Sequence, residues 1–442
     1  MIGGGPSGST LALRLAQLGR AVALIEKDRF PRRHVGESLA SGVLPLLDVA
    51  GLRVSAEAAG FLGPQPATVS WKGELKRLQP QDGGGYVVDR GLFDSVLVHA
   101  ARESGVRVFQ PAHIVDRTFA DAWSIRLDSG ETLTSKYLAD AGGRSRVLSG
   151  PKIEYGTRTL AMYAYWLGVD PYHRDTLVEA GESEWYWGAP LPGGDFSAMV
   201  FMDAENAHPS LYPELMRESR LLWPLLANAV CGEVRVCDAT SFRDETPVTP
   251  HSIKVGEAAI SIDPLSSQGV QTSIGTALHA AVVINTIMDR PDDAELAMDF
   301  YRKRLKDSAD FHARAAGQFY REQFDVCGSD FWRKRARVDD LRTATSRTPV
   351  QPDLRVQVSQ RAVFVTVGIV NGSHIVREDG VDLDGKWSAY VGEARVADLL
   401  RALDGSMTAV EVVRCWSRKM SSAQSLQTLQ WAWSEGLIER AF

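Results

Sequence analysis

The chain has 442 residues, with 49 Lys plus Arg against 55 Asp plus Glu and a formal net charge of −6. That length allows about two to four domains, and the acidic balance argues against whole-chain adhesion to nucleic acid or anionic lipid. With 44% hydrophobic and 24% charged residues, collagen, coiled coil and long disorder are excluded. Cys231, Cys237, Cys327 and Cys415 show no CxxC or metal-ligand spacing, so neither a disulfide framework nor a metal site is expected. No apolar run reads as a membrane span and the N-terminus lacks the order of a signal peptide, so a cytoplasmic protein without a membrane partner is expected.

The chain opens Met1-Ile2-Gly3-Gly4-Gly5-Pro6-Ser7-Gly8, which sets GxGxxG at Gly3, Gly5 and Gly8. An amphipathic stretch from Ser9 to Leu18 follows, closed by Gly19, and then a strand from Ala21 to Ile25 that ends at Glu26 and Lys27. This order predicts the first half of a βαβ dinucleotide fold. The glycines, with Pro6 and Ser7 between them, let backbone N–H groups and a helix N-terminus approach a pyrophosphate. Glu26 lies 18 residues after Gly8, where an acid can accept from ribose hydroxyls. Only Met1 and Ile2 stand for the first strand, so native residues are expected to precede Met1.

Three further segments follow the same logic. Val88-Asp89-Arg90-Gly91-Leu92-Phe93-Asp94 runs into a helix, and Leu138-Ala139-Asp140-Ala141-Gly142-Gly143-Arg144-Ser145 reads as a strand ending in a second Gly-rich turn. The segment from Val255 to Val270 contains Glu257, Asp263-Pro264 and Gly269, and leads into a long helical pattern reaching about Met288. Over residues 1–320 these motifs resemble the flavoprotein monooxygenases of the aromatic hydroxylase and flavin-dependent halogenase superfamily. The resemblance implies FAD, with Arg90, Asp140, Gly143, Glu257, Asp263, Pro264, Gly269 and Val270 on the cofactor side. A helix starting near Gly269 would aim its N–H groups and positive dipole end at the flavin pyrimidine edge. Glu257 stands where the family usually has Asp, which puts its direct contact in doubt and leaves a water-mediated one.

Phe30-Pro31-Arg32-Arg33-His34-Val35-Gly36-Glu37-Ser38-Leu39 resembles the PRxxxGES loop of the halogenase-like branch, which implies Arg32, Glu37 and Ser38 as cofactor-side residues. The bland alternative is an exposed basic loop with Glu37 and Ser38 in a helix's first turn. His34, Lys72, Glu37 and His251 are the candidate acid or base groups, His34 first because it sits in this loop. Halogenases of this superfamily place a lysine between flavin and substrate; Lys72 falls in the expected region, but Trp71-Lys72-Gly73-Glu74 lacks the expected spacing. Trp185-Tyr186-Trp187-Gly188-Ala189-Pro190 matches most of the WxWxIP stretch, and alternation puts Trp185 and Trp187 on one strand face, more simply read as sheet core. A geranylgeranyl reductase reading would favour an aliphatic lining, whereas residues 162–201 are rich in Tyr and Trp.

The fold class expected is mixed α/β (α+β). Residues 1–60 with 85–150 and 250–330 form a Rossmann-like FAD-binding domain of aromatic hydroxylase type. Residues 61–84 with 151–249 form an inserted, mostly antiparallel substrate-binding sheet, and residues 331–361 a linker or strap. In residues 362–442, Asn371-Gly372 predicts a hairpin turn, Val396, Leu399, Leu400 and Leu403 predict an amphipathic helix, and Thr408 with Glu411 predicts a capping box. Ser422 to Glu435 predicts a third helix, with Trp416, Trp431 and Trp433 read as core. The pattern resembles the small winged-helix-like peptide-recognition modules of ribosomal peptide maturation. DNA is discounted, because the third helix has no Lys or Arg and the segment carries 8 cations against 10 acids.

Together these features resemble the flavoprotein monooxygenases of tryptophylquinone cofactor biogenesis, including the QhpG type. The implied activity is hydroxylation of a tryptophan side chain within a peptide or protein through a flavin C4a-hydroperoxide. It uses O2, with NAD(P)H acting directly or through a separate reductase. The implied partners are a peptide or small protein precursor and other maturation enzymes. An aromatic halogenase and a non-catalytic FAD-bound docking protein are the alternatives.

Overall fold

The computed structural model describes residues 1–61, 63–80, 85–336 and 349–441. They divide into two compact units, Met1–Asn285 with Tyr301–Arg337 and Thr286–Phe300 with Val338–Phe442.

The first unit is built on two layers of strands. Ile2 bridges Ile25 on one side and Asp140 on the other, so a parallel sheet runs Arg107–Phe109, Ala23–Ile25, Ile2, Leu138–Asp140, Ser252–Lys254. Val248–Thr249 adds an antiparallel edge. Leu24, Ile25, Leu138 and Ile253 are buried, as the apolar runs of a parallel sheet require. The helix Pro6–Gln17 begins with proline at its first turn, where no N–H is needed, and the chain leaves it through Gly19 at φ +79°. The helix Arg90–Glu103 is capped by Asp89, whose side chain accepts from the Leu92 N–H. Leu13, Leu47, Phe93, Leu97 and Ile274 join these elements in one core.

The larger sheet has the order Val230–Cys231, Thr159–Leu167, Phe196–Asp203, Glu184–Pro190, Thr176–Ala180, Ala67–Trp71, Glu74–Leu78, with Arg235–Asp238 also paired to Thr159–Leu167. It is antiparallel except where Thr176–Ala180 meets Ala67–Trp71. The period of two sorts its side chains. Met162, Ala164, Trp166 and Tyr186 pack on one side against Tyr212, Met216 and Leu222. Trp185, Trp187, Met199 and Phe201 occupy the other, where Phe331 and Trp332 join them and Val35 and Leu265 pack alongside. Trp185 stacks on Phe201 with ring centroids 3.8 Å apart, so the Trp-Tyr-Trp stretch is sheet core.

Three boundaries differ from expectation. The helix Asp330–Arg335 buries Phe331 and Trp332, and Arg335 pairs with Asp203 at 2.6 Å, so residues 331–336 pack into the first unit through one helix face and are not a strap. Of the expected linker, residues 337–348 lie outside the described residues, as do residues 62 and 81–84 of the expected substrate domain. Residues 349–361 belong to the second unit, since Val356–Val358 pairs with Ile438–Arg440. Residues 286–300, expected in the FAD-binding domain, also fall in that unit. The helix Gly269–Asp289 is long and apolar enough to cross a membrane, against the expectation that no run is. Its Val270 and Ile274 lie in the core around Leu47 and Phe93, which accounts for its apolar character.

The second unit holds a three-stranded sheet, Ala362–Asn371, His374–Leu383 and Lys386–Ser388, with the helices Val396–Arg401, Ala409–Trp416 and Ser422–Glu435. The hairpin turns one residue later than expected, because Asn371 pairs with His374 and the loop is Gly372-Ser373. Positive φ is needed only at Gly372, +59°, the pattern of a turn with glycine first. The Thr408 and Glu411 capping box forms, and Ser421 with Gln424 makes a second one that the sequence reading missed. Trp416 is buried and its indole N–H donates to the Leu399 carbonyl, while Trp431 and Trp433 pack on the same core.

Candidate functional site

Close backbone approach fixes where the glycines are needed. A Cβ on Gly3 would sit 2.4 Å from the Ala141 carbonyl oxygen, one on Gly8 1.9 Å from the Gly3 carbonyl, and one on Gly256 2.4 Å from Ser7 Oγ. Three motifs far apart in sequence therefore meet closely, Gly3 against the Ala141 backbone and Gly256 against the Ser7 side chain, and a larger residue at any of these positions would force its neighbours to move. Gly5 is different, with nothing within 4 Å of a Cβ built there. It heads the helix Pro6–Gln17 without any side-chain cap, leaving the first N–H groups to a ligand or solvent. Glu26 is buried at the strand end, Oε2 accepting from the Gly4 N–H at 2.6 Å and Oε1 from the Asp28 N–H at 2.8 Å. An open, uncapped helix start beside a fixed carboxylate fits the pyrophosphate and ribose of a dinucleotide. Lys27 is exposed.

Asp140 and Asp263, expected on the cofactor side, also bond within the chain. Asp140 is fully buried, its oxygens accepting from the N–H groups of Gly142 at 2.8 Å and Leu148 at 2.6 Å. Asp263 accepts from the Leu265 N–H at 3.0 Å, and the Tyr320 hydroxyl reaches both its oxygens at 3.0 and 2.9 Å. Burial pushes both carboxyl pKa values up. Each carboxylate shapes a turn, the first leading to Gly143 at φ +60°, the second through Pro264 toward Gly269. A Cβ on Gly269 would meet nothing within 4 Å, so the start of the 21-residue helix is open there, while Val270 is buried. Glu257 points to Arg144, with 3.5 Å between them, and Arg144 also lies 3.5 Å from Asp238.

The loop 30–38 is clamped by charge. Asp94 is fully buried and takes Arg90 at 3.2 Å and Arg32 at 3.4 Å. Arg90 also donates to the Val35 carbonyl at 2.8 Å. Ser38 pairs with Val87 in a short antiparallel ladder. Glu37 is 2% exposed, and its Oε1 accepts from the Tyr165 hydroxyl at 2.9 Å and from Ser197 Oγ at 3.5 Å. Burial pushes the Glu37 carboxyl pKa up, and burial followed by the Glu37 charge pushes the Tyr165 phenol up. The Arg33 guanidinium lies 4.8 Å from the Tyr165 ring centre and pairs with Asp195 at 2.7 Å. Tyr163 stands edge-on to Tyr165 at 6.1 Å. On the same sheet face Cys237 has its thiol pushed up to about 11 by burial, which keeps it protonated.

Of the four candidate acid or base groups, only Glu37 joins this cluster. His34 is exposed, with Nδ1 2.8 Å from the Val35 carbonyl. Lys72 occupies a hairpin turn at φ +47°, 42% exposed, 3.4 Å from Glu322. Its strand lies four positions across the sheet from the Tyr165 strand, roughly 19 Å at the usual strand spacing. His251 packs at a tilt against Phe119, with ring centroids 4.6 Å apart, in the turn before Ser252–Lys254, the end of the strand opposite the Gly-rich turns. Tyr165, Ser197, Asp94 and Arg144 were missed as site residues. The alternation of Tyr163 and Tyr165 in the strand Thr159–Leu167 was the available signal for one of them.

Residues 1–206 match the FAD binding domain family. A solved peptidyl tryptophan dihydroxylase, QhpG, essential for tryptophylquinone cofactor biogenesis, superposes with a TM-score of 0.80 at 25% identity over 99% of this chain and 98% of its own. The chain is thus similar to flavin-dependent monooxygenases and halogenases. The flavin-dependent halogenase CmlS shares the fold, with a TM-score of 0.84 at 21% identity over 100% of this chain and 96% of its own. A tryptophan 2-halogenase of Chondromyces crocatus is 30% identical over 335 residues, 69% of this chain. That match takes in 64% of the halogenase, less than two thirds of its length.

Proposed function

We propose that the chain is an FAD-dependent, oxygen-using monooxygenase that hydroxylates a tryptophan side chain within a peptide or protein. The observation that carries this reading is the end-to-end likeness to a peptidyl tryptophan dihydroxylase, which extends through the C-terminal unit. The Gly3 to Gly8 turn and Glu26 would hold the pyrophosphate and ribose of FAD, and the open helix start at Gly269 would face the flavin's anionic edge. Bound and reduced, FAD supplies the electrons that activate oxygen, drawn from NAD(P)H directly or through a reductase.

The chain's own residues do the rest. The aromatic sheet face around Tyr163, Tyr165 and Trp187 suits a planar, electron-rich ring better than an aliphatic tail. Glu37, fixed by Tyr165 and Ser197, is the group placed to hold a proton when a hydroxylated ring regains aromaticity.

The likeness to a tryptophan 2-halogenase favours a second reading, halogenation of an aromatic substrate. The position of Lys72, half-exposed and bonded to Glu322, speaks against it. The deciding experiment is mass spectrometry of candidate precursor proteins after incubation with reduced enzyme and labelled oxygen, with chloride and bromide present. Labelled oxygen on one tryptophan is the expected result, and a halogen mass shift would replace this reading with the second.

A further inference from the structure

Arg33 lies in the loop 30–38, between residues that are tied down. Arg32 beside it pairs with Asp94 at 3.4 Å, and the Val35 carbonyl two residues on accepts from Arg90 at 2.8 Å, so the backbone that carries Arg33 is held on both sides. From this anchored segment the Arg33 side chain crosses to the large sheet. Its Cζ lies over the Tyr165 ring, 4.8 Å from the centre, and one guanidinium nitrogen meets Asp195 at 2.7 Å. Asp195 stands just before the strand Phe196–Asp203, so three separate segments fix the position of one cation.

The ring beneath this cation belongs to the candidate site, because the Tyr165 hydroxyl donates to buried Glu37 at 2.9 Å. The Arg33 side chain is nevertheless 59% exposed. Tyr165 covers one side of the planar guanidinium and Asp195 takes its edge, which leaves a free side for a second ring. Arg146 differs on this point: it lies over Phe242 at 5.4 Å, but it is 14% exposed and bonded to fully buried Asp244. A guanidinium attracts the negative face of an aromatic ring, and the face of tryptophan most strongly. Since Arg33 is already held in place, a ring that lands on it does not have to order a free side chain first.

We propose that Arg33 is a specificity-determining residue that seats the substrate's ring, the indole of the incoming tryptophan packing on the free side of its guanidinium to make a Tyr165–Arg33–indole stack. The inference rests on the proposed tryptophyl substrate and deepens it, assigning the preference for an electron-rich ring to one cation. Fluorine withdraws density from a ring face, so each fluorine added to indole weakens its attraction to a cation. A purely apolar wall would hold the more hydrophobic fluorinated ring as well or better. The two kinds of wall therefore give opposite trends with the same ligands.

The test uses the full chain loaded with oxidised FAD and given no reductant, so nothing turns over. The probes are short acetylated and amidated peptides with one tryptophan between glycines, its benzene ring carrying zero, one, two or four fluorines, titrated by calorimetry. Affinity is expected to fall steadily along the series, by about two- to thirtyfold from the plain to the tetrafluoro peptide, the range of a single cation–ring attraction. Arg33→Gln keeps a planar end group but no charge, and should bind the plain peptide more weakly by a similar factor and lose the trend. The series on the unmodified chain needs no variant, so its result stands even where Arg33→Gln unfolds. Affinity that holds or rises with fluorination overturns the proposal, as does a trend that survives in Arg33→Gln or an absence of binding by every peptide. A flat series alongside labelled oxygen on a tryptophan would strike Arg33 alone, whereas a falling series without oxygen incorporation would keep Arg33 as the ring's seat and strike the hydroxylation.

Discussion

Asp94 is the residue on which the loop 30–38 depends, and its removal has a calculable cost. The carboxylate is fully buried and takes Arg90 at 3.2 Å and Arg32 at 3.4 Å. Asp94→Ala leaves two largely buried guanidinium groups without their common partner, a change that typically costs about 3–5 kcal/mol. The first unit holds about 320 residues, and an unfolding entropy of about 2.1 cal/mol/K per residue gives it about 0.7 kcal/mol/K. The melting temperature should therefore fall by about 4–7 °C in scanning calorimetry without FAD. Asp94→Asn, which keeps an acceptor but no charge, should lose less. Asp94→Ala combined with Arg32→Met should recover part of the loss, because one uncompensated charge has gone. Because Arg90 also ties down the Val35 carbonyl, FAD affinity should fall with stability. A shift below about 1 °C for Asp94→Ala would refute the clamp.

Three further changes probe the site. Burial raises the folded pKa of Glu37 above its unfolded value, so the stability this group provides is full below the unfolded pKa and is lost as pH climbs through the folded one. Glu37→Gln cannot ionise, and in melting scans it should lie above the parent chain near about pH 8 and level with it near about pH 4. Gly256→Ala places a Cβ 2.4 Å from Ser7 Oγ at φ +58°; about 1–2 kcal/mol of backbone strain and a displaced Ser7 should weaken FAD binding about tenfold in a flavin fluorescence titration. Lys72→Ala should change stability by less than about 0.5 kcal/mol, given its solvent-screened pair with Glu322, and should leave the yield of oxygenated product unchanged. A hundredfold loss of product there would return Lys72 to the chemistry and favour halogenation.

What the sequence could and could not disclose follows from where each residue's partners lie. Gly3, Gly5 and Gly8 were legible because their function is local, a turn that ends one strand and opens one helix, and the capping box of Thr408 and Glu411 was legible for the same reason. The hairpin turn moved by one residue because Asn371-Gly372 and Gly372-Ser373 both satisfy a glycine-first or glycine-second loop, and only pairing along ten residues chooses between them. Asp140 and Asp263 were read as cofactor-side residues from their motifs, and the partners the sequence did not disclose are N–H groups two and eight residues on and a tyrosine 57 residues on. A buried carboxylate takes whichever donors close its turn. Tyr165 and Ser197 reach Glu37 across 128 and 160 residues, and no spacing rule links positions that meet only after a sheet has formed. Lys72 shows the converse. Its neighbourhood in sequence suggested catalysis, but Lys72-Gly73 is a two-residue turn with positive φ at both positions, a conformation set by hairpin geometry alone. The Gly-rich half of the candidate site is thus written in local motifs, whereas the aromatic sheet face around Glu37 and Tyr165 is assembled from strands whose alternation is visible and whose pairing is not.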